Sequence, residues 1–561
     1  MFVKVTKSGP RKYVQLVEAY RDENGRPKQR TIASLGRLDK LGDELQCVID
    51  GLGRVLGRDP SNPSQVTFES SRTLGNVWAL TELWDDLGFD QLRKIFRGTR
   101  HSIHVEALIR IMVINRLSDP DSKLGVLRWL ETVSLPGLKG IEEIQHQYLL
   151  RAMDALSDHQ EAVDNMTNSL LRPLVDQDLS VVFYDMTTIK TEGHSKPNND
   201  IRAYGLSKEG GIKQQVMLGM VQTADGLPLY HELFEGNTAE VVTFKPIIEK
   251  IIERFPVTRI IVVADRGLLS IDNLDELKGI TLPSGQPLEF ILAVPGRRYK
   301  DFKSLLTPLH NDLLDAAKEE VITETRWQNL RLVVAHDPKT AKTQQLARQE
   351  KIETLEKVAE KLTLKLDRQD DGVKKLGRKL SDNGASAKFY KKVCEARLSK
   401  VIKVDMKSDL FCYDIDHDAL QQACLMDGKL LLVTNVADLS ATEAVARYKS
   451  LADIERGFRV LKSDIEIGPV YHRLPRRIKA HAMICFIALV IYRVMRMRLK
   501  ESKSSYSPCR ALEKLSRIQH HKATINGKVA EGLSGMTAEQ LDIFAALLIN
   551  KPVSTNDLST L

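Results

Sequence analysis

A chain of 561 residues with 42% hydrophobic and 28% charged residues carries enough apolar material for well-packed interiors, which excludes a wholly disordered protein. At roughly 150 residues per domain the length corresponds to three or four domains. Lys and Arg outnumber Asp and Glu by 82 to 74, and the six scattered cysteines form no Cys-x-x-Cys pair, which argues against a disulfide scaffold or a standard zinc module and for a reducing cytoplasm.

The charge is segregated. Residues 1–40 carry a net +6 and residues 473–522 a net +11, so the remainder is net acidic. Clustered Lys and Arg at both ends point to a polyanion partner, because they release counterions from phosphates on binding.

In chain order, 1–45 alternates apolar and polar residues on either side of a turn at Asp22-Glu-Asn-Gly25, which predicts a small basic β module. Segment 70–176 turns helical, with helices expected over 77–84, 105–117 and 147–156. Segment 178–296 alternates: a buried strand ending on Asp185, a hairpin turning at Ala224-Asp225-Gly226, a helix capped at Asn237-Thr-Ala-Glu240, a strand running into Asp265, and a strand at 288–294. That order is the order of a mixed ribonuclease H-like sheet.

Residues 297–428 interrupt it as an insertion of mixed strand and helix. Ile352, Leu355, Ala359, Leu362 and Leu366 mark an amphipathic arm, and strand-like runs lie at 331–335 and 409–413. Segment 429–500 re-enters the sheet, and 501–561 is a basic C-terminal region. The apolar run at 480–495 is shorter than the ~20 residues a membrane span needs and reads as a core helix. No signal-peptide core is apparent at the N-terminus. Gly372-Val-Lys-Lys-Leu-Gly377 lacks the Lys-Ser/Thr of a phosphate loop, so ATP is not an expected partner.

Asp185 and Asp265 each follow an apolar strand expected to neighbour the other. Hard divalent cations prefer carboxylate oxygens, and phosphoryl transfer often uses two of them, so a third acid is sought. Ser440-Ala-Thr-Glu443 opens a helix as a capping box, with Leu451, Ile454, Phe458 and Leu461 as its apolar stripe and Glu455 at the stripe's edge. Tyr448 and Lys462 stand seven residues before and after Glu455, so all three are expected on one helix face at two-turn intervals.

These residues resemble the DDE transposases of bacterial insertion sequences, in the branch whose third-acid helix carries Tyr, Arg, Glu and Lys at fixed spacing. Tyr448, Glu455 and Lys462 match, whereas Leu451 stands at the arginine position. Ala264-Asp-Arg-Gly267, Ile454-Glu-Arg-Gly-Phe-Arg459 and Tyr471-His-Arg473 look similar to the same branch. The resemblance implies an α/β multidomain protein with a ribonuclease H-like core. It implies Asp185, Asp265 and Glu455 as catalytic residues on two Mg²⁺ ions, with Mn²⁺ as a substitute. It also implies cleavage at element ends, strand transfer into target DNA, and a homo-oligomer on terminal inverted repeats. Tyr448, Arg459, Lys462, Arg473, Arg476, Arg477 and Lys479 are the expected DNA contacts. A nuclease or resolvase without strand transfer, and a non-catalytic DNA-binding repressor, are the alternatives.

Overall fold

The computed structural model describes residues 1–23, 25–41, 44–56, 66–97, 104–137, 144–175, 179–193, 199–255, 259–264, 274, 277–282, 284–316, 319–371, 379–525 and 528–553. Two compact units are present: Met1–Arg72 with His520–Ser534, and Thr73–Gln519 with Gly535–Leu561.

In the first unit, β1 (Phe2–Ser8), β2 (Arg11–Arg21) and β3 (Pro27–Arg37) form an antiparallel meander. Its small core is Val14 and Val17 of β2 with Leu41, whose side chain lies on Gly36. A helix, Glu44–Val55, follows. The unit also holds a second sheet in which β4 (Val66–Thr73) pairs with β16 (Gln519–Ile525) of the hairpin completed by β17 (Lys528–Leu533). Thr524 Oγ1 donates to Glu69 Oε1 at 2.5 Å across that pairing. The region 501–561 therefore contains strands that share a sheet with the first 73 residues.

The second unit is built on a nine-stranded mixed sheet. β5 (Leu179–Lys190) is central, flanked by β9 (Arg259–Ala264), which runs parallel to it, and by antiparallel β7 (Ile212–Thr223). Short β6 (Ala203–Leu206) and β8 (Pro228–Glu235) both pair with β7. On the other side come β10 (Glu289–Ala293), β15 (Lys429–Thr434), β12 (Leu330–His336) and β11 (Val321–Trp327). The hairpin between β7 and β8 turns at Gly226, whose φ of 79° suits glycine. β11 and β12 lie within the segment expected as an insertion, yet they extend the main sheet. Trp327 closes β11 with its ring 4.9 Å from that of Phe302.

Three local expectations are corrected. β5 does not stop at Asp185 but continues to Lys190, because the β-favouring run Thr187-Thr188-Ile189 stays paired with β7. The helix Glu240–Arg254 is not capped by Asn237; its N-cap is Ala239, which makes no side-chain cap. Of the 409–413 run only Tyr413 is in a strand, with β14 (Tyr413–Ile415) pairing with β13 (Ile402–Val404).

The arm is a 33-residue helix, Pro338–Asp370, packed on Asp382–Glu395. Ile352, Leu355 and Ala359 meet Phe389, Val393 and Ile402 in its core. The 372–378 stretch set aside above lies outside the described residues.

The helix Pro475–Glu501 ties the unit together. Every residue from 480 to 495 is buried, each large apolar side chain contributing about 1.5–3 kcal/mol. It packs on the helices Val105–Ser118 and His146–Asp158 and on β8, where Phe486 stacks on His231 at 4.5 Å. It is long and apolar enough to cross a membrane, but 94% of its most apolar window is buried inside the protein.

Candidate functional site

Val182, Phe183 and Tyr184 are buried apolar residues of β5, and Asp185 follows them with its side chain 17% exposed. Asp185 Oδ1 accepts from Met186 N at 2.7 Å, and Lys208 Nζ lies 3.4 Å away. In the parallel ladder Tyr184 pairs with Ala264, the last residue of β9. Each is the residue immediately before a candidate aspartate. Asp265 itself lies outside the described residues.

The capping box at Ser440 forms: Glu443 N donates to Ser440 Oγ at 3.2 Å, and Ser440 N donates to Glu443 Oε2 at 3.0 Å. The helix it opens is shorter than expected. Ala441–Lys449 stops, and Ser450 separates it from a second helix, Leu451–Ser463. Tyr448 is therefore on the first helix while Glu455 and Lys462 are on the second, so a single continuous face does not join all three. Leu451, Phe458 and Leu461 are buried, as the stripe requires. This burial explains why leucine suits position 451: its side chain packs inward rather than reaching a phosphate.

The second helix packs against β5 and against Pro475–Glu501. Gly457 makes this possible, since a Cβ there would lie 2.9 Å from Gln222 Nε2 and 3.0 Å from Arg493 Nη2. Glu455 is two residues earlier; its backbone is helical, and its side chain lies outside the described residues. Among the described residues no group of three His, Cys, Asp or Glu gathers to hold a metal.

Two charged residues that sequence reasoning missed sit in the turn between β6 and β7. Lys208 reaches Asp185 and also donates to Met186 O, while Glu209 accepts from Lys462 at 3.0 Å. That bond holds the Glu209 carboxyl below its usual range. The turn thus bridges the β5 aspartate and the last turn of the Glu455 helix. Its sequence signal is Gly210-Gly211, with φ of 95° and 76°, directly before β7.

The basic residues divide. Arg459, Arg473 and Lys479 are exposed. Arg476 is half-exposed with Nε 3.2 Å from Asp154. Arg477, expected as a DNA contact, clamps Asp154 of the helix His146–Asp158 through two hydrogen bonds of 2.8 Å. The bonds to Asp154 raise the guanidinium pKa; Asp154, despite burial, is held low by the same arginine. Arg477→Ala is expected to cost about 1–2 kcal/mol in urea denaturation. Arg473→Gln and Lys479→Gln are expected to stay within about 0.5 kcal/mol.

Comparison with known proteins reaches the level of family. A family model described as the IS1634 family transposase N-terminal domain matches residues 3–64, and one described as the transposase DDE domain matches residues 176–491. No curated protein matches the chain. Among solved structures, the piggyBac transposase synaptic complex with hairpin DNA aligns at 6% identity and a TM-score of 0.39, covering 79% of each chain. The Drosophila P element transposase strand transfer complex aligns at 12% identity and a TM-score of 0.19, covering 77% of this chain and 89% of that one. At these scores neither likeness carries weight for fold or chemistry. The DDE-domain match spans more than half of the sequence and follows an N-terminal match of the same kind: the chain belongs to the DDE transposases of insertion sequences.

Proposed function

We propose that this transposase cuts DNA at the ends of its own insertion sequence and joins the freed 3′ ends to target DNA, using Asp185, Asp265 and Glu455 in a ribonuclease H-like core. The observation that carries the reading is the β5–β9 register, in which the residues preceding the two aspartates are direct partners on adjacent parallel strands. Packing of the Glu455 helix on β5 supports the third position. The donor set is all carboxylate oxygen, which fits Mg²⁺ or Mn²⁺ and not a soft metal. Two such ions, when bound by these residues, would supply charge stabilisation to the attacking and leaving oxygens of a phosphodiester.

The chain's own residues do the rest. Lys208 places an ammonium 3.4 Å from Asp185, orienting that carboxylate when no other cation is present. Lys462, tied to Glu209, would exchange that exposed partner for a phosphate of the scissile strand. Tyr448 on the preceding helix offers a hydroxyl, and Arg459, Arg473, Arg476 and Lys479 supply positive charge along the strand's path.

The test is a reaction of the purified protein with a duplex carrying the element's terminal repeats and a supercoiled target, in Mg²⁺. Nicked ends and joined products are expected. Nicking without joining would make it a nuclease, and binding without nicking a repressor. Replacing Arg473 and Lys479 by Gln is expected to weaken binding to any sequence and flatten the log–log salt dependence by ~0.9 per lost contact. Filter binding from low to moderate salt reads that slope.

A further inference from the structure

A second cationic feature of the same unit lies apart from the acidic residues and shares Arg473 with the basic surface described above. A cavity of about 710 Å³ opens between the start of the helix Lys123–Thr132, the 466–474 segment and the start of Pro475–Glu501. Two buried cations line it, Arg116 and Lys123, each 5% exposed. Neither has a carboxylate partner among the described residues. Arg116 bonds only to carbonyls: Ile465 at 3.4 Å, Glu466 at 3.2 Å, and Asp121. Lys123 makes no hydrogen bond or ion pair there, and burial beside Arg116 brings its pKa down to about 7.

The rest of the lining is also poor in negative charge. His472 and His481 are held neutral, burial being the main cause, and His481 Nε2 donates to Ile467 O while its Nδ1 stays buried without a partner. Exposed Arg473 stands on the wall. Of the two lining carboxylates, Asp121 is engaged by Ser122 N and Arg128, and Glu466 is exposed. The helix Lys123–Thr132 begins here, its first turn capped by Ser122 and faced by the Asp121 carboxylate, which lies against Gly125. A buried charge without a counter-charge is expensive: Arg116 remains charged here, Lys123 sheds part of its charge near neutrality, and an anion entering the cavity would pair with the first and restore the proton on the second.

We propose that this cavity binds a phosphate group, and that in the working protein the phosphate belongs to a DNA strand that also passes the acidic site. The choice of occupant rests on the DNA reading above; the anion site does not. Val470 of the lining pairs with Thr191, six residues along from Asp185 and next to the end of β5. Six extended residues span about 20 Å, or about six base-pair steps of duplex. An anchor at that distance would fix the strand's register without touching the reacting bond.

The test uses the full chain with two probes, inorganic phosphate and a short DNA duplex. At fixed ionic strength, exchanging chloride for phosphate is expected to raise the Tm of the unaltered protein. Lys123→Met should raise the Tm in chloride and abolish the phosphate response. Arg473→Gln, an exposed change, should reduce that response with the interior intact, and decides the matter if the methionine variant does not fold. No phosphate response in the unaltered protein, or an equal one in the variants, overturns the site. For the occupant, the salt dependence of duplex binding should flatten by ~0.9 in Lys123→Met. A lost phosphate response with an unchanged DNA slope overturns the DNA strand as occupant and assigns the cavity to a free phosphate compound. Cleavage is not measured at any step, so failure of the acid assignment cannot imitate either result.

Discussion

Asp185→Ala is expected to slow end cleavage by at least ~10³-fold while DNA affinity changes by less than about twofold. Removing one carboxylate from a two-ion site costs several kcal/mol of transition-state stabilisation, and about 4 kcal/mol is a thousandfold in rate. The fold should survive: the side chain is 17% exposed and its described partners are the Met186 amide and Lys208, so no packed volume is lost. Asp265→Ala and Glu455→Ala should behave alike. Single-turnover cleavage and gel-shift assays separate the two quantities. Cleavage at the normal rate by Asp265→Ala would remove that residue from the site.

Gly457→Val is the second large effect. A Cβ at this position would sit 2.9–3.0 Å from the side chains of Gln222 and Arg493, and both are buried, at 0% and 1% exposure. Neither can swing into water, so the helix must move away from the sheet. Overpacking of this kind costs about 1–3 kcal/mol. A displacement of ~1 Å at Glu455, two residues away, should lower the cleavage rate by ~10²-fold. Denaturation followed by circular dichroism checks the first figure and single-turnover kinetics the second. Full activity in Gly457→Val would show that this close approach does not seat the helix.

The pattern of what was legible follows from the range of the interactions. The helices at 75–86, 105–118 and 146–158, the hairpin turning at Gly226 and the capping box at Ser440 were readable because each is set by residues within a few positions of one another. What was not readable depends on distant partners. β5 runs past Asp185 because β7 pairs with it as far as Lys190. β4 finds β16 more than 400 residues later. Ser450 interrupts the third-acid helix while keeping helical dihedrals (φ −63°, ψ −15°), and no glycine or proline announces it. Lys208 and Glu209 escaped notice because four-residue β6 is too short for an alternation signal. The carboxylates were nominated by their strands and helix; the direct pairing of Tyr184 with Ala264, the residues before the two aspartates, is a register no local pattern reveals.

The central claim is that Asp185, Asp265 and Glu455 gather around one divalent-metal centre, and metal-directed cleavage of the protein backbone tests it most directly. Fe²⁺ in place of Mg²⁺, with ascorbate and peroxide, generates hydroxyl radicals that cut the chain beside the bound ion. The account predicts fragments ending near residues 185, 265 and 455, all three suppressed together by excess Mg²⁺. Cuts at other positions, or cuts near only one of the three that Mg²⁺ does not suppress, would contradict it.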